Sequence, residues 1–229
     1  MTPKRVAIIQ PYFFPYLGYY SLFARADEVI LLDCVQFPRR GRVHRSPMPS
    51  NGEPKWLTLP LARQPVTTTI RELRFSDTAP EEWEKRLARQ DWYLPDATIA
   101  GLSLKDLLFI RTRSVADYLC AQIEVMCAYL GLDCPLSRSS ALAIDPRLKA
   151  QDRIIEIATR SGATGYINPP GGRTLYQGAA FEEHGLQLHF LPPYDGPHLY
   201  LLPALMRTGQ QALRADLDRF SNQPLLEAA

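Results

Sequence analysis

Two unbroken apolar runs stand near the start of the chain: Val6-Ala7-Ile8-Ile9, and Val29-Ile30-Leu31-Leu32 ending at Asp33. Short apolar runs without alternation read as strands buried on both faces of a sheet. Residues 18–26 between them read as a short helix. Strand, helix and strand in so short a stretch form a βαβ unit, which predicts a parallel sheet. An arginine-rich loop over 38–54 follows, then an alternating strand Trp56-Leu57-Thr58-Leu59 closed by Pro60, and a further strand over 67–75.

The middle of the chain is predicted helical. Asp77 or Thr78 caps a helix over 80–90, a shorter helix covers 104–110, and the clearest covers 114–130. In that last helix Val115, Leu119, Ile123, Met126, Cys127 and Leu130 share one face, and Gly131 stands where a C-terminal glycine belongs. The last third returns to alternation. It predicts a helix over 150–161, a strand over 165–168, a Pro-Pro-Gly-Gly loop over 169–172, a helical turn over 179–184, a strand over 186–191, and beyond Pro203 one helix with a frayed end. The expected fold is a single α/β domain over residues 1–229, a Rossmann-like parallel sheet with a helical insertion over about 78–130.

Composition narrows the class. With 229 residues, 46% of them hydrophobic and 22% charged, the chain can bury a core without staples. A net charge of +2 gives little support to generic nucleic-acid binding. Cys34, Cys120, Cys127 and Cys134 form no CxxC pair, so reduced thiols are expected. The four apolar residues Val6 to Ile9 are too few for a signal core, and no run approaches the roughly 18–20 residues of a membrane span, so the cytoplasm is the expected location.

Ligands of open parallel sheets bind at the carboxyl ends of the strands. Three notable segments begin at such ends: Gln10 to Tyr19, Asp33 to Arg45, and Asn168 to Tyr176. If their strands are parallel neighbours, the three meet at one edge. Gln10 offers an amide; Tyr12 and Tyr16 offer hydroxyls and flat faces; Gly18 opens a helix whose N-terminus favours an anion. Asp33 is a candidate acid/base, a ligand acceptor, or the partner of a structural cation. Arg39, Arg40, Arg42 and Arg45 surround His44; guanidinium forks suit phosphate or carboxylate, though such a run also serves as a solvated loop or as an RNA contact. His44 is a candidate general base. Gly171-Gly172 permits close backbone approach to a ligand, with Arg173 and Tyr176 placed to close over it, or makes a plain tight turn. The spacings contain no metal-ligand pattern, nucleophile elbow, P-loop or dinucleotide fingerprint, and no metal or cofactor is expected.

The run Ile8-Ile9-Gln10-Pro11-Tyr12-Phe13-Phe14-Pro15-Tyr16-Leu17-Gly18-Tyr19, with Asp33-Cys34-Val35-Gln36-Phe37, Trp56-Leu57-Thr58-Leu59-Pro60, Gly162-Ala163 … Tyr166 and Tyr176 … Phe181, resembles the WbqC-like protein family over nearly the whole chain. The resemblance implies a bacterial biosynthetic protein of surface-polysaccharide or specialised-metabolite pathways that transfers an acyl, aminoacyl or sugar group. It highlights Gln10, Pro11, Pro15, Gly18, Asp33, Gln36, Arg45, Trp56 and Tyr176. The chain departs from the family pattern at His44-Arg45-Ser46, where Asn-Arg-Asn is frequent, and in a shortened segment Leu201 to Met206 that lacks an acidic residue. The resulting expectation is a transferase acting on an anionic, nucleotide- or carrier-linked small molecule. Arginines would bind its phosphates, Tyr12 and Tyr16 would orient it, and Asp33 or His44 would move the proton. The alternatives are a non-catalytic protein that binds a nucleotide-sugar or a partner enzyme, and an RNA-binding accessory.

Overall fold

Val6, Ile8 and Ile30 enter one apolar layer while Ala7, Ile9, Val29 and Leu31 enter another, the alternation that a strand buried on both faces requires. The computed structural model, which describes residues 3–228, builds these runs into β1 (Arg5–Ile9) and β2 (Glu28–Leu31), parallel and in register from Val6 opposite Glu28 to Ile9 opposite Leu31. Between them lie a 3-10 turn, Leu17–Tyr20, and helix α1 (Ser21–Arg25).

The arginine-rich stretch is more ordered than its composition predicts. Arg45–Met48 form β3, paired antiparallel with β4 (Lys55–Thr58), so that Pro47 stands opposite Trp56. The strand expected over 67–75 is absent. Thr69 N–H and Oγ1 both donate to Glu72 Oε2, at 2.9 and 2.7 Å, and this reciprocal cap closes a 3-10 turn, Ile70–Glu72. Isolated bridges such as Leu61 to Phe75 are all that remain of strand pairing there.

Helix α2 (Ala79–Leu87), a tight hairpin of β5 (Thr98–Ile99) and β6 (Leu102–Ser103), and helices α3 (Leu104–Leu108) and α4 (Val115–Tyr129) fill the middle of the chain. Ser103 and Ser114 cap α3 and α4 by accepting backbone N–H groups through their hydroxyls. This helical region shares one buried layer with the loop after β1: Phe13 packs edge-on against Trp83, ring centroids 5.6 Å apart. After α4 come β7 (Leu136–Arg138), α5 (Ala150–Arg160), β8 (Gly165–Asn168), α6 (Gly178–Glu182) and β9 (Gln187–Phe190). The tail holds two helices in place of the one expected, α7 (Leu201–Arg207) and α8 (Gln210–Ser221), separated at Thr208-Gly209. The end expected to fray forms β10 (Leu226–Glu227), antiparallel to β9.

The result is a mixed α/β protein around a mostly parallel sheet of order β10-β9-β8-β1-β2-β7. α5 and α6 cover one face through Ile154, Ile155, Ile157 and Phe181; α4, α7 and α8 cover the other. All four cysteines are free, Cys120 and Cys127 buried, Cys34 and Cys134 half-buried. Among the described residues no helix is long and apolar enough to cross a membrane.

Candidate functional site

From β1 the chain builds outward to β2 and then β7; it next crosses to the other side of β1 for β8 and β9. The reversal between β1 and β8 opens a crevice at the carboxyl ends of these strands, the usual ligand position in an open α/β sheet. A cavity of about 340 Å3 lies there. Its walls come from every loop that leaves the neighbouring strands: Tyr16 after β1, Arg42 and Pro47 after β2, Pro170 after β8, Tyr194 and Tyr200 after β9.

Backbone hydrogen bonds lock these loops together. Phe13 N–H donates to the Arg42 carbonyl and Leu17 N–H to the His198 carbonyl, both at 3.0 Å. Phe14 sits at φ 40°, a left-handed backbone costly for a bulky residue, and is held by burial and by the buried Ser46 hydroxyl, which donates to its carbonyl at 2.9 Å. Gly18 is where the Tyr16 and Tyr194 rings close on the backbone: a Cβ there would lie 2.7 Å from both. The first N–H of that turn is spent on the His198 carbonyl, and the Tyr16 and Tyr194 rings crowd the Cα of Gly18.

Arg42 is the one guanidinium of the arginine loop that faces this crevice, and among the described residues it makes no ion pair and no side-chain hydrogen bond. Its charge is felt at Tyr12 and Tyr16. Burial raises both phenols above their ordinary pKa and Arg42 partly offsets that rise, so both stay protonated donors at neutral pH. No hydrogen bond engages either hydroxyl among the described residues. Gln10 lies at the root of the same loop, its carbonyl accepting the Tyr19 hydroxyl at 3.0 Å.

Asp33 is placed differently. It is 1% exposed, and its carboxylate accepts from Ser139 Oγ at 3.0 Å, Ser140 N–H at 2.9 Å and Ser140 Oγ at 2.7 Å. It clamps the turn after β7 to the end of β2.

The model of the WbqC-like protein family matches residues 10–200, a span that holds every wall of the crevice from Tyr16 to Tyr200. The chain belongs to this family. An uncharacterised protein of Mycobacterium tuberculosis, Rv1507c, is 24% identical to it over 199 residues, 84% of each chain. No solved structure matches the chain.

The motif residues of this WbqC-like chain divide into three groups. Tyr16 and Arg42 line the crevice, and Tyr12 lies close enough to feel the Arg42 charge. A second group braces loops. Gln36 donates through Nε2 to the Val66 carbonyl at 2.8 Å. Arg45 ties to the Gly41 and Arg40 carbonyls, its guanidinium 4.1 Å from the centroid of Trp56. Asn168 Oδ1 accepts the Tyr166 hydroxyl at 2.9 Å, and Tyr176 packs edge-on against Tyr166 with centroids 6.0 Å apart. Arg173 lies exposed over Phe190, 6.0 Å from its centroid. Asn168, Arg173 and Tyr176 therefore stop short of the cavity, which their loop enters only through Pro170.

The third group, Arg39 and His44, lines a separate cavity of about 440 Å3 beside Ser76 and Arg86. His44 is partly buried, its Nδ1 lacks a partner, and desolvation together with the nearby Arg45 lowers its pKa to about 4. The imidazole is thus neutral at pH 7. A folded-state pKa below the unfolded value near 6.5 stabilises the fold fully above pH 6.5, and the contribution drains away as pH falls toward 4. The melting temperature of His44→Gln should accordingly fall less than that of the wild type between pH 6.5 and 4.5; parallel curves would show that His44 is not desolvated.

Sequence reasoning passed over Tyr194 and Tyr200. The usable signal was Pro192-Pro193-Tyr194-Asp195-Gly196-Pro197, a rigid aromatic loop directly after a predicted strand, open to the same carboxyl-end argument as the other three segments.

Proposed function

We propose that this WbqC-like chain is a biosynthetic group-transfer enzyme, on a Rossmann-like sheet, that acts on an anionic nucleotide- or carrier-linked substrate and moves an acyl, aminoacyl or glycosyl group in surface-polysaccharide or specialised-metabolite synthesis. The observation that carries the reading is the uncompensated Arg42 guanidinium at the β1/β8 reversal, beside two protonated tyrosines. Arg42 grips the phosphate or carboxylate, Tyr12 and Tyr16 donate to its oxygens, and the Tyr194, Tyr200 and proline walls take up the flat or apolar part of the molecule. Asp33 acts here as a positioning residue.

A second reading is a non-catalytic accessory protein that binds a nucleotide-sugar. It is favoured by one observation: the buried Asp33 carboxylate accepts three hydrogen bonds from the turn after β7 and His44 opens to another cavity, and neither lines the crevice wall.

Thermal stabilisation by nucleotide-sugars, carrier thioesters and amino acids tests both, since a ligand of the native state raises the melting point. A charge-assisted hydrogen bond contributes about 1.5–3 kcal/mol, so Arg42→Gln should weaken the effective ligand roughly 10–100-fold. Equal affinity in Arg42→Gln would remove the anion from the crevice. Product formation from the bound donor separates the enzyme from the accessory protein.

A further inference from the structure

Pro47 borders the crevice described above, and its cross-strand partner Trp56, on the same face of the β3–β4 hairpin, also lines a neighbouring bowl of about 690 Å3. Three separate parts of the chain each deliver one exposed cation to that bowl: Lys55 from β4, Arg89 from the segment after α2, and Arg207 from the last turn of α7. Among the described residues none of the three makes an ion pair or a side-chain hydrogen bond. The protein neutralises cations elsewhere, as in Arg138 with Asp117, Arg214 with Asp218, and Arg219 with Asp195 and Asp216. Asp91 is the single acid in the lining.

An independent feature points the same way. Trp92 also lines the bowl and is only 7% exposed, yet its indole N–H has no acceptor. A buried donor left unpaired costs about 1–3 kcal/mol, and a ligand oxygen would relieve that cost. Trp56, in contrast, is 43% exposed.

We infer that this bowl is a second anion site, distinct from the crevice, which takes a phosphoryl-bearing molecule of up to nucleoside-diphosphate size. Lys55, Arg89 and Arg207 hold the phosphoryl oxygens, Trp92 donates its N–H to one of them, and Trp56, braced by the Arg45 guanidinium, walls the bowl. Its volume falls within the range of small-molecule sites.

Inorganic pyrophosphate titrated at low ionic strength, with tryptophan emission as the readout, tests the assignment. Trp83 emits from the core, 2% exposed with its N–H donating to the Leu108 carbonyl at 2.7 Å, and does not line the bowl, so its emission does not follow the ligand. The Trp56→Phe variant therefore leaves Trp92 as the reporter, and a saturable change in its emission is expected. Neutralising the three cations together, Lys55→Gln with Arg89→Gln and Arg207→Gln, should weaken pyrophosphate at least tenfold while Trp83 emission and the melting curve show the fold intact. Tyr16→Phe, which alters the crevice and not the bowl, should leave the titration unchanged, and this keeps the two sites separate whatever the crevice binds. Absence of a saturable response, an unaltered titration in the triple variant, or loss of the response in Tyr16→Phe would each overturn the second site.

Discussion

Asp33→Ala is expected to destabilise the protein by about 4 kcal/mol, because three hydrogen bonds converge on a buried carboxylate and charge-assisted bonds contribute about 1.5–3 kcal/mol each, with partial relaxation after the deletion. For a chain of this size each kcal/mol shifts the melting point by about 2–4 °C, which gives a fall of roughly 8–16 °C. The alanine leaves the Ser140 N–H without an acceptor and two serine hydroxyls without their partner. Asp33→Asn behaves differently. Its Oδ1 still accepts from Ser139 and from Ser140 N–H, and its amide donates to a Ser140 hydroxyl that has only to rotate. Stability should fall by about 1 kcal/mol, the ordinary worth of one hydrogen bond. Ligand binding at the crevice should survive. The pair of variants separates a brace from a proton carrier: a well-folded Asp33→Asn protein that binds ligand normally but has lost turnover would restore a catalytic role to this carboxylate.

Gly172→Ala is expected to cost about 3 kcal/mol, read by chemical unfolding, since overpacking typically costs about 1–3 kcal/mol and a buried hydrogen bond is lost as well. A Cβ at residue 172 would overlap Asn168 Nδ2, lie 2.9 Å from Asn168 Cγ and stand 3.1 Å from the Tyr176 ring. Asn168 cannot yield freely: it is 7% exposed and its Oδ1 holds the Tyr166 hydroxyl, which also reaches the Ile8 carbonyl at 3.3 Å. The disturbance therefore runs from the 169–172 loop to β1, at the mouth of the crevice. Gly171→Ala is the control. A Cβ at residue 171 would meet no atom within 4 Å, and the variant should unfold as the wild type does. Equal stability of the two variants would show that the Asn168–Tyr166 arrangement is not rigid.

Much of this architecture was legible from residue order. β1 and β2 announced themselves through uninterrupted branched residues, and α4 through six apolar positions on one face. β7 did not, because three half-buried residues, Leu-Ser-Arg, carry no period; only the pairing of Leu136 to Arg138 with Val29 to Leu31 makes them a strand. The turn at Ile70–Glu72 was hidden for a different reason: a side-chain cap between Thr69 and Glu72 overrode β-branched propensity at Thr67, Thr68 and Thr69. At the crevice, Tyr16 and Arg42 followed from their position after strands. Arg39 and His44 were drawn into the same group by closeness in sequence, but a loop has no period, so spacing could not tell which of two cavities each residue faces. Asp33 stayed open between a reactive and a bracing role because its partners over a hundred residues away, Ser139 and Ser140, are invisible in the local sequence.

The two outer strands of the sheet are its shortest, three residues in β7 and two in β10. A border so brief offers few free backbone groups to a neighbouring molecule, and β10 runs against the direction of the rest. Self-templated stacking into fibrils has almost nothing to copy from. Detaching Leu226 and Glu227 would uncover the four-residue β9, and with it the longer ladder that concentrated solutions of the protein otherwise keep out of reach.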